Sequence, residues 1–81
     1  MITVEIHFYA QLRDFFGDRL SVELPDTSTA EDIRAVLTQK NALAGDWLKV
    51  SRLASEDAFL AEDFSVASGG VYYLLPPSSG G

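Results

Sequence analysis

Eighty-one residues leave room for one small domain, and 47% hydrophobic against 22% charged residues fits a compact globule rather than a disordered chain. There is no cysteine and His7 is the only histidine, which excludes disulfides, thiolate or multi-histidine metal sites and a cysteine nucleophile. Twelve carboxylates against six cations give a net charge of -6, which disfavours nucleic acid and anionic membrane as partners; with no apolar run near the ~20 residues of a membrane span and no signal peptide, a soluble cytoplasmic protein is expected.

Ile2, Val4, Ile6 and Phe8 alternate with Thr3, Glu5 and His7, the period-2 pattern of a half-buried strand. The period then changes. Leu12, Phe15 and Phe16 stand three and four apart in a short helical turn closed by Gly17-Asp18, and Leu20, Val22 and Leu24 resume the alternation. The two strands are expected to pair across that connection, with Pro25-Asp26 stopping the second. Thr27-Ser28-Thr29 opens a helix: Ser28 with Glu31 and Thr29 with Asp32 both match capping-box spacing, and Lys40 falls at the negative end. Ile33, Val36 and Leu37 form its apolar stripe. Asn41 to Gly45 reads as an exit loop.

Between 46 and 66 the pattern is weaker. Trp47, Leu48 and Val50 read as buried, Leu53-Ala54 as strand, and Phe59, Leu60, Phe64 and Val66 as short strands or a turn. Ser68-Gly69-Gly70 is a turn, and after it comes Val71-Tyr72-Tyr73-Leu74-Leu75, a strand with almost no polar relief, as a central strand requires. One main helix laid across a mixed sheet is an α+β roll. With the first and last strands parallel at its centre it is a β-grasp, spanning residues 1–75, with a flexible tail at 76–81.

No internal active site emerges. His7 lies outward on a strand with no Ser or Asp placed beside it, and Glu31-Asp32, Glu56-Asp57 and Glu62-Asp63 have simpler roles in a helix first turn and in loops, so no metal is expected. Gly69-Gly70 lacks phosphate-loop spacing, and Tyr72 and Tyr73 lack the basic groove that base stacking needs. The chain end is different. It runs Leu74-Leu75-Pro76-Pro77-Ser78-Ser79-Gly80-Gly81, without a charged side chain after Asp63. A stiff Pro-Pro leading into a thread thin enough for a narrow tunnel would carry the α-carboxylate of Gly81 about 20 Å from the sheet. Ser-Ser-Gly-Gly also has linker composition, although a linker does not ordinarily come directly after Pro-Pro on a core strand.

Phe8-Tyr9-Ala10-Gln11-Leu12-Arg13-Asp14-Phe15-Phe16-Gly17, the Thr29-Ala30-Glu31-Asp32 helix start and the closing Leu74 to Gly81 run make the chain resemble, over its full length, the small sulfur-carrier subunits of molybdopterin synthase. These are β-grasp proteins of the ubiquitin-like superfamily. The resemblance implies that an E1-like enzyme uses ATP to adenylate Gly81. A sulfur donor such as a cysteine desulfurase or rhodanese then leaves a thiocarboxylate, and the large catalytic subunit receives the sulfur for a cyclic pterin precursor. It implies no active site or bound cofactor in the isolated chain, with ATP used by the activating partner. Pro76, Pro77, Ser78, Ser79, Gly80, Leu75 and Phe8 are then the partner-binding residues. A carrier for thiamine, cysteine or tRNA thiolation, a ubiquitin-like protein modifier, and a plain interaction domain are the rival functions.

A tail alone offers little area, so the body is expected to dock as well, with Phe8, Tyr72, Leu74 and Leu75 as candidates. Val71, Tyr73 and Leu75 should share one face of the last strand, and Tyr72 and Leu74 the other. One helix covers one face only, so one set should pack beneath it and the other stay partly bare, with surrounding carboxylates steering it toward basic partners.

Overall fold

A computed structural model describes residues 1–77. Its four-stranded sheet has the order β2-β1-β4-β3, where β1 is Ile2–Phe8, β2 Arg19–Leu24, β3 Arg52–Ala54 and β4 Val71–Leu75. β1 runs antiparallel to β2 and parallel to β4, and β3 closes the far edge antiparallel to β4. The first and last strands therefore occupy the centre, as the unrelieved apolarity of 71–75 implies.

Each strand alternates as its sequence does. Ile2, Val4, Ile6 and Phe8 are buried, and so are Val22 and Leu24 from β2 and Tyr72 and Leu74 from β4. The connection from β1 to β2 is a 3-10 turn (Ala10–Leu12) running into the single-turn helix α1 (Arg13–Phe16). It starts at Ala10, whose φ of 51° is strained for a residue with a Cβ, and ends at Gly17, whose φ of 80° suits glycine. Leu12, fully buried, pins this loop to the core.

The long helix α2 spans Ala30–Lys40. Of the two possible capping boxes the structure uses Thr29 with Asp32: the Thr29 backbone N–H donates to Asp32 Oδ2 at 2.8 Å. Ser28 is instead buried in the turn before the helix, its carbonyl accepting from the Val66 N–H at 3.1 Å. Ile33 and Leu37 of α2 are fully buried against the inner face of the sheet. Burial of a side chain of this size contributes about 1.5–3 kcal/mol, so this one stripe is the main fastening of helix to sheet.

The segment after α2 departs from expectation. Residues 42–50 are helical: a 3-10 turn (Ala42–Ala44) continues into the short helix α3 (Gly45–Val50). The Asn41 side chain restarts the helix by accepting from the Leu43 N–H at 3.1 Å. Leu48 is buried and Trp47 partly so, but Val50 is 55% exposed, because a helix turns it away from the residues a strand would have grouped it with. Arg34 of α2 locks this piece in place, donating to the Leu48 carbonyl and to Glu62 at 2.9 and 3.1 Å. Residues 55–70 hold two isolated bridges, Thr29 with Ser65 and Ala54 with Phe59, rather than strands. Phe59 and Phe64 stay exposed while Val66 enters the core. The Ser68-Gly69 turn is real, with φ of 78° at Gly69.

Candidate functional site

α2 covers one face of the sheet and leaves the other open. The register of the ladders fixes what the open face carries. Across the sheet, Arg19, His7, Tyr73 and Ala54 form one row, and Ser21, Glu5 and Val71 the next toward the start of β1. Glu23 and Thr3 lie beyond, and at the opposite end Leu75 stands beside Arg52.

The middle of this face is aromatic. The His7 and Tyr73 rings lie 5.2 Å apart between centroids, and Tyr9, 40% exposed, brings its ring to 6.4 Å from Tyr73. His7 Nε2 contacts Glu5 Oε2 at 2.5 Å, which fixes the imidazole between the carboxylate and the tyrosine. At the β3 edge the Arg52 guanidinium lies 3.8 Å from the centroid of the Phe59 ring. A shallow groove lined by Ala54, Ser55, Glu56, Asp57, Ala58 and Phe59 reaches Leu75 at the same end. Val71 is 39% exposed, and Tyr73 and Leu75 are half-buried. The expected division of β4 into a covered set and a bare set is therefore present, with Val71, Tyr73 and Leu75 bare.

Of the residues expected to meet partners, Leu75 lies on this face and Pro76 and Pro77 continue directly from it, Pro77 exposed. Ser78, Ser79, Gly80 and Gly81 lie outside the described residues. Phe8, Tyr72 and Leu74 must be corrected: all three are core residues. Phe8 stacks on Phe16 with centroids 4.8 Å apart, and the Tyr72 hydroxyl accepts from the Ala67 N–H at 3.0 Å. Strand parity is the reason, since Phe8 continues the Ile2-Val4-Ile6 set that packs under α2. Phe8 can support the face only from beneath.

The carboxylates also sit elsewhere than expected. Among the described residues only Glu5 and Glu23 lie on the open strand face; the others belong to helices and connecting segments. Glu62 is held by Arg34, and Asp18 by Arg13 at 2.8 Å. No three His, Asp or Glu side chains converge among the described residues in a way that could hold a metal ion, and no helix is long and apolar enough to cross a membrane. Two cationic residues of the face differ in how far the sequence alone reveals them. Arg19 is within reach of such a reading, because the Leu20-Val22-Leu24 alternation already turns position 19 outward. Arg52 is not, because a three-residue strand has no period to read.

The sequence matches no protein-family model and no curated protein. Solved structures do match. A putative molybdopterin converting factor subunit 1 from Pyrococcus furiosus superposes with a TM-score of 0.84 at 17% identity, covering 96% of this chain and 100% of that one. Small archaeal modifier protein 1 from Haloferax volcanii gives 0.81 at 17% identity, again over 96% and 100%. A complex of subunits 1 and 2 of the Helicobacter pylori molybdopterin-converting factor contains a chain that matches at 0.71 and 25% identity, over 99% of this chain and 100% of that one. These neighbours are the ones the resemblance leads one to expect. Sheet order, helix placement and neighbours agree: the chain is an α+β protein with the ubiquitin-like β-grasp fold.

Proposed function

We propose that this chain is a ubiquitin-like sulfur carrier that serves a molybdopterin synthase. The observation that carries the reading is the position of β4. The central strand of the sheet runs straight into Pro76-Pro77 at the edge of an uncovered aromatic face, so a partner docked on that face also receives the chain beyond the prolines. In the sequence that stretch is Ser78-Ser79-Gly80-Gly81, narrow enough for a tunnel that any Cβ would obstruct. The subunit 1 neighbours and the Helicobacter pylori complex support a large catalytic subunit as one partner.

The chemistry asks nothing of the carrier's own side chains beyond presentation. A carboxylate resists nucleophiles because of its charge. Attack of a Gly81 carboxylate oxygen on the α-phosphorus of ATP, held by an E1-like enzyme, expels pyrophosphate and leaves an acyl adenylate. A sulfide equivalent from a sulfur donor then adds to the carbonyl carbon and AMP departs, leaving a thiocarboxylate. That sulfur attacks a cyclic pterin precursor on the large subunit and displaces an oxygen leaving group from it; water then cleaves the acyl–sulfur bond, which leaves the sulfur on the pterin and regenerates the carboxylate for reloading. The absence of cysteine fits a protein whose sulfur is carried on its terminus.

Mass spectrometry of the intact protein from its native host tests the reading. The expected species ends at Gly81 with one oxygen replaced by sulfur. A chain extended by one residue beyond Gly81 should not be adenylated, and activation that persists in it would overturn the proposal. A second reading, conjugation through Gly81 to lysines of other proteins, is favoured by the likeness to small archaeal modifier protein 1; isopeptide-linked Gly81 in host lysate would establish it.

A further inference from the structure

The two edges of the sheet are treated differently. At the β3 edge the chain folds back on itself: Phe59 bridges Ala54, and the Leu60 N–H donates to the Leu53 carbonyl at 2.8 Å. The β2 edge has no strand or bridge alongside it among the described residues. The Phe8 N–H donates to the Asp18 carbonyl at 2.9 Å. With the antiparallel register that sets Ile2 opposite Leu24 and His7 opposite Arg19, this makes Leu20, Val22 and Leu24 the residues hydrogen-bonded to β1. Arg19, Ser21 and Glu23 therefore turn their backbone N–H and C=O groups outward, and all three residues are exposed. The strand contains no proline and its register is unbroken, so these groups form a regular template for another strand.

We infer that this edge pairs with the β2 strand of a second copy of the chain. A two-fold antiparallel pairing centred on Ser21 sets Ser21 opposite itself and Arg19 opposite the second copy's Glu23, once on each side of the axis. No other antiparallel register uses all three outward-turned residues. A shift of two residues leaves one of them unpaired, and a larger shift sets Arg19 on Arg19 or Glu23 on Glu23. Within one copy the two charges cannot meet, because four residues of strand separate them by about 13 Å. Among the described residues neither takes part in an ion pair, and Asp18, next to Arg19, is held by Arg13. Opposed side chains in a ladder stand about 5 Å apart at Cβ, inside the Debye length of ~8 Å at physiological salt that screens the repulsion between two chains of net charge -6. Charges that ordinarily blunt an edge here select a copy of the same strand. Opposed residues share a face, so the two open faces lie side by side in one continuous sheet, and Leu20, half-buried in a single copy, gains the second copy's Val22 as a neighbour. β4 lies two strands in from this edge, so the exit of Pro76 stays free, and the two-fold sends the two C-terminal runs off opposite ends. The pairing is independent of the carrier reading and uses a different surface.

Analytical ultracentrifugation of the full-length chain at physiological ionic strength tests the pairing. The wild type should sediment as monomer and dimer, with the dimer share rising with concentration. The amide protons of Arg19, Ser21 and Glu23 should exchange more slowly in concentrated than in dilute solution. Arg19→Glu makes both positions acidic and Glu23→Arg makes both basic, and each change should weaken dimerisation about tenfold or more. Mixed in equal amounts, the two variants should associate as the wild type does, because every opposed pair again joins an acid to a base. The double variant Arg19→Glu/Glu23→Arg should recover association within one chain. Circular dichroism melts should show all variants folded, since both positions are exposed. A wild type that stays monomeric at millimolar concentration, with edge amides exchanging at one rate throughout, would overturn the pairing. Dimerisation that both single reversals leave at wild-type strength would overturn it by assigning the contact to another surface. Either result leaves the carrier reading standing, because that reading is tested by the mass of the C-terminus.

Discussion

The two faces of β4 differ more than their sequence suggests. Val71, Tyr72, Tyr73, Leu74 and Leu75 are all apolar or aromatic, yet Tyr72 and Leu74 are buried in the core while Val71, Tyr73 and Leu75 form the open side. Two tyrosines in succession have opposite circumstances. Tyr72 has its hydroxyl tied to the Ala67 backbone inside the fold, and Tyr73 lies among His7 and Tyr9 at the surface. An apolar strand is therefore not evidence of burial on both faces.

Substitutions that treat the two faces alike should break this contrast, and the largest effect belongs to the inner one. Leu74→Glu places an unpaired carboxylate in a fully buried position, at a cost of several kcal/mol even after relaxation, against a total stability of about 5–15 kcal/mol for a typical domain. The expected outcome is loss of the cooperative thermal transition; a variant melting within a few degrees of wild type would mean that the face is not closed.

Gly70→Ala probes the same inner face from its turn. An added Cβ would stand 2.7 Å from the Tyr72 ring and hydroxyl. That ring is buried and hydrogen-bonded, so it cannot swing aside freely, and overpacking should cost about 1–3 kcal/mol in urea denaturation. Rescue by Tyr72→Phe should be partial at best, because the ring still clashes and the Ala67 N–H loses its acceptor.

The helix that covers the inner face depends on its cap. Asp32→Ala removes the acceptor used by the Thr29 backbone N–H and should cost about 1 kcal/mol, read as a lower urea midpoint with an unchanged slope. A modest effect on stability should come from the outer face: Tyr73→Glu gives up ring contacts with His7 and Tyr9 and is expected to cost about 0.5–1.5 kcal/mol, leaving the domain folded, yet abolish binding to the large subunit or activating enzyme. A folded Tyr73→Glu protein that binds normally would show the open face to be idle.

Much of this arrangement is legible in the sequence. Strict alternation in 2–8 and 20–24 and the Thr29–Asp32 box identify β1, β2 and α2 because each is a local periodicity that the chain must satisfy whatever surrounds it. The parity of β4 is equally plain. What parity leaves open is which set faces the helix, and there a docking role for Phe8 and Leu74 fails because both are core. Residues 42–50 escape for a related reason. Their α-helix is only six residues long, begins at a glycine and owes its place to Arg34 and Glu62, partners that no local window contains.

By itself, then, the sequence determined the periods of its elements, the sign of its net charge, the lack of cysteine and the Pro-Pro and Gly-Gly run, since these are properties of neighbouring residues or of composition. Only the tertiary structure decided the strand order, the covered face and the row Arg19-His7-Tyr73-Ala54. The physical reason is that register joins residues far apart in the chain, such as His7 with Tyr73. A pairing between distant strands is selected by the core they bury together rather than by anything written within either strand.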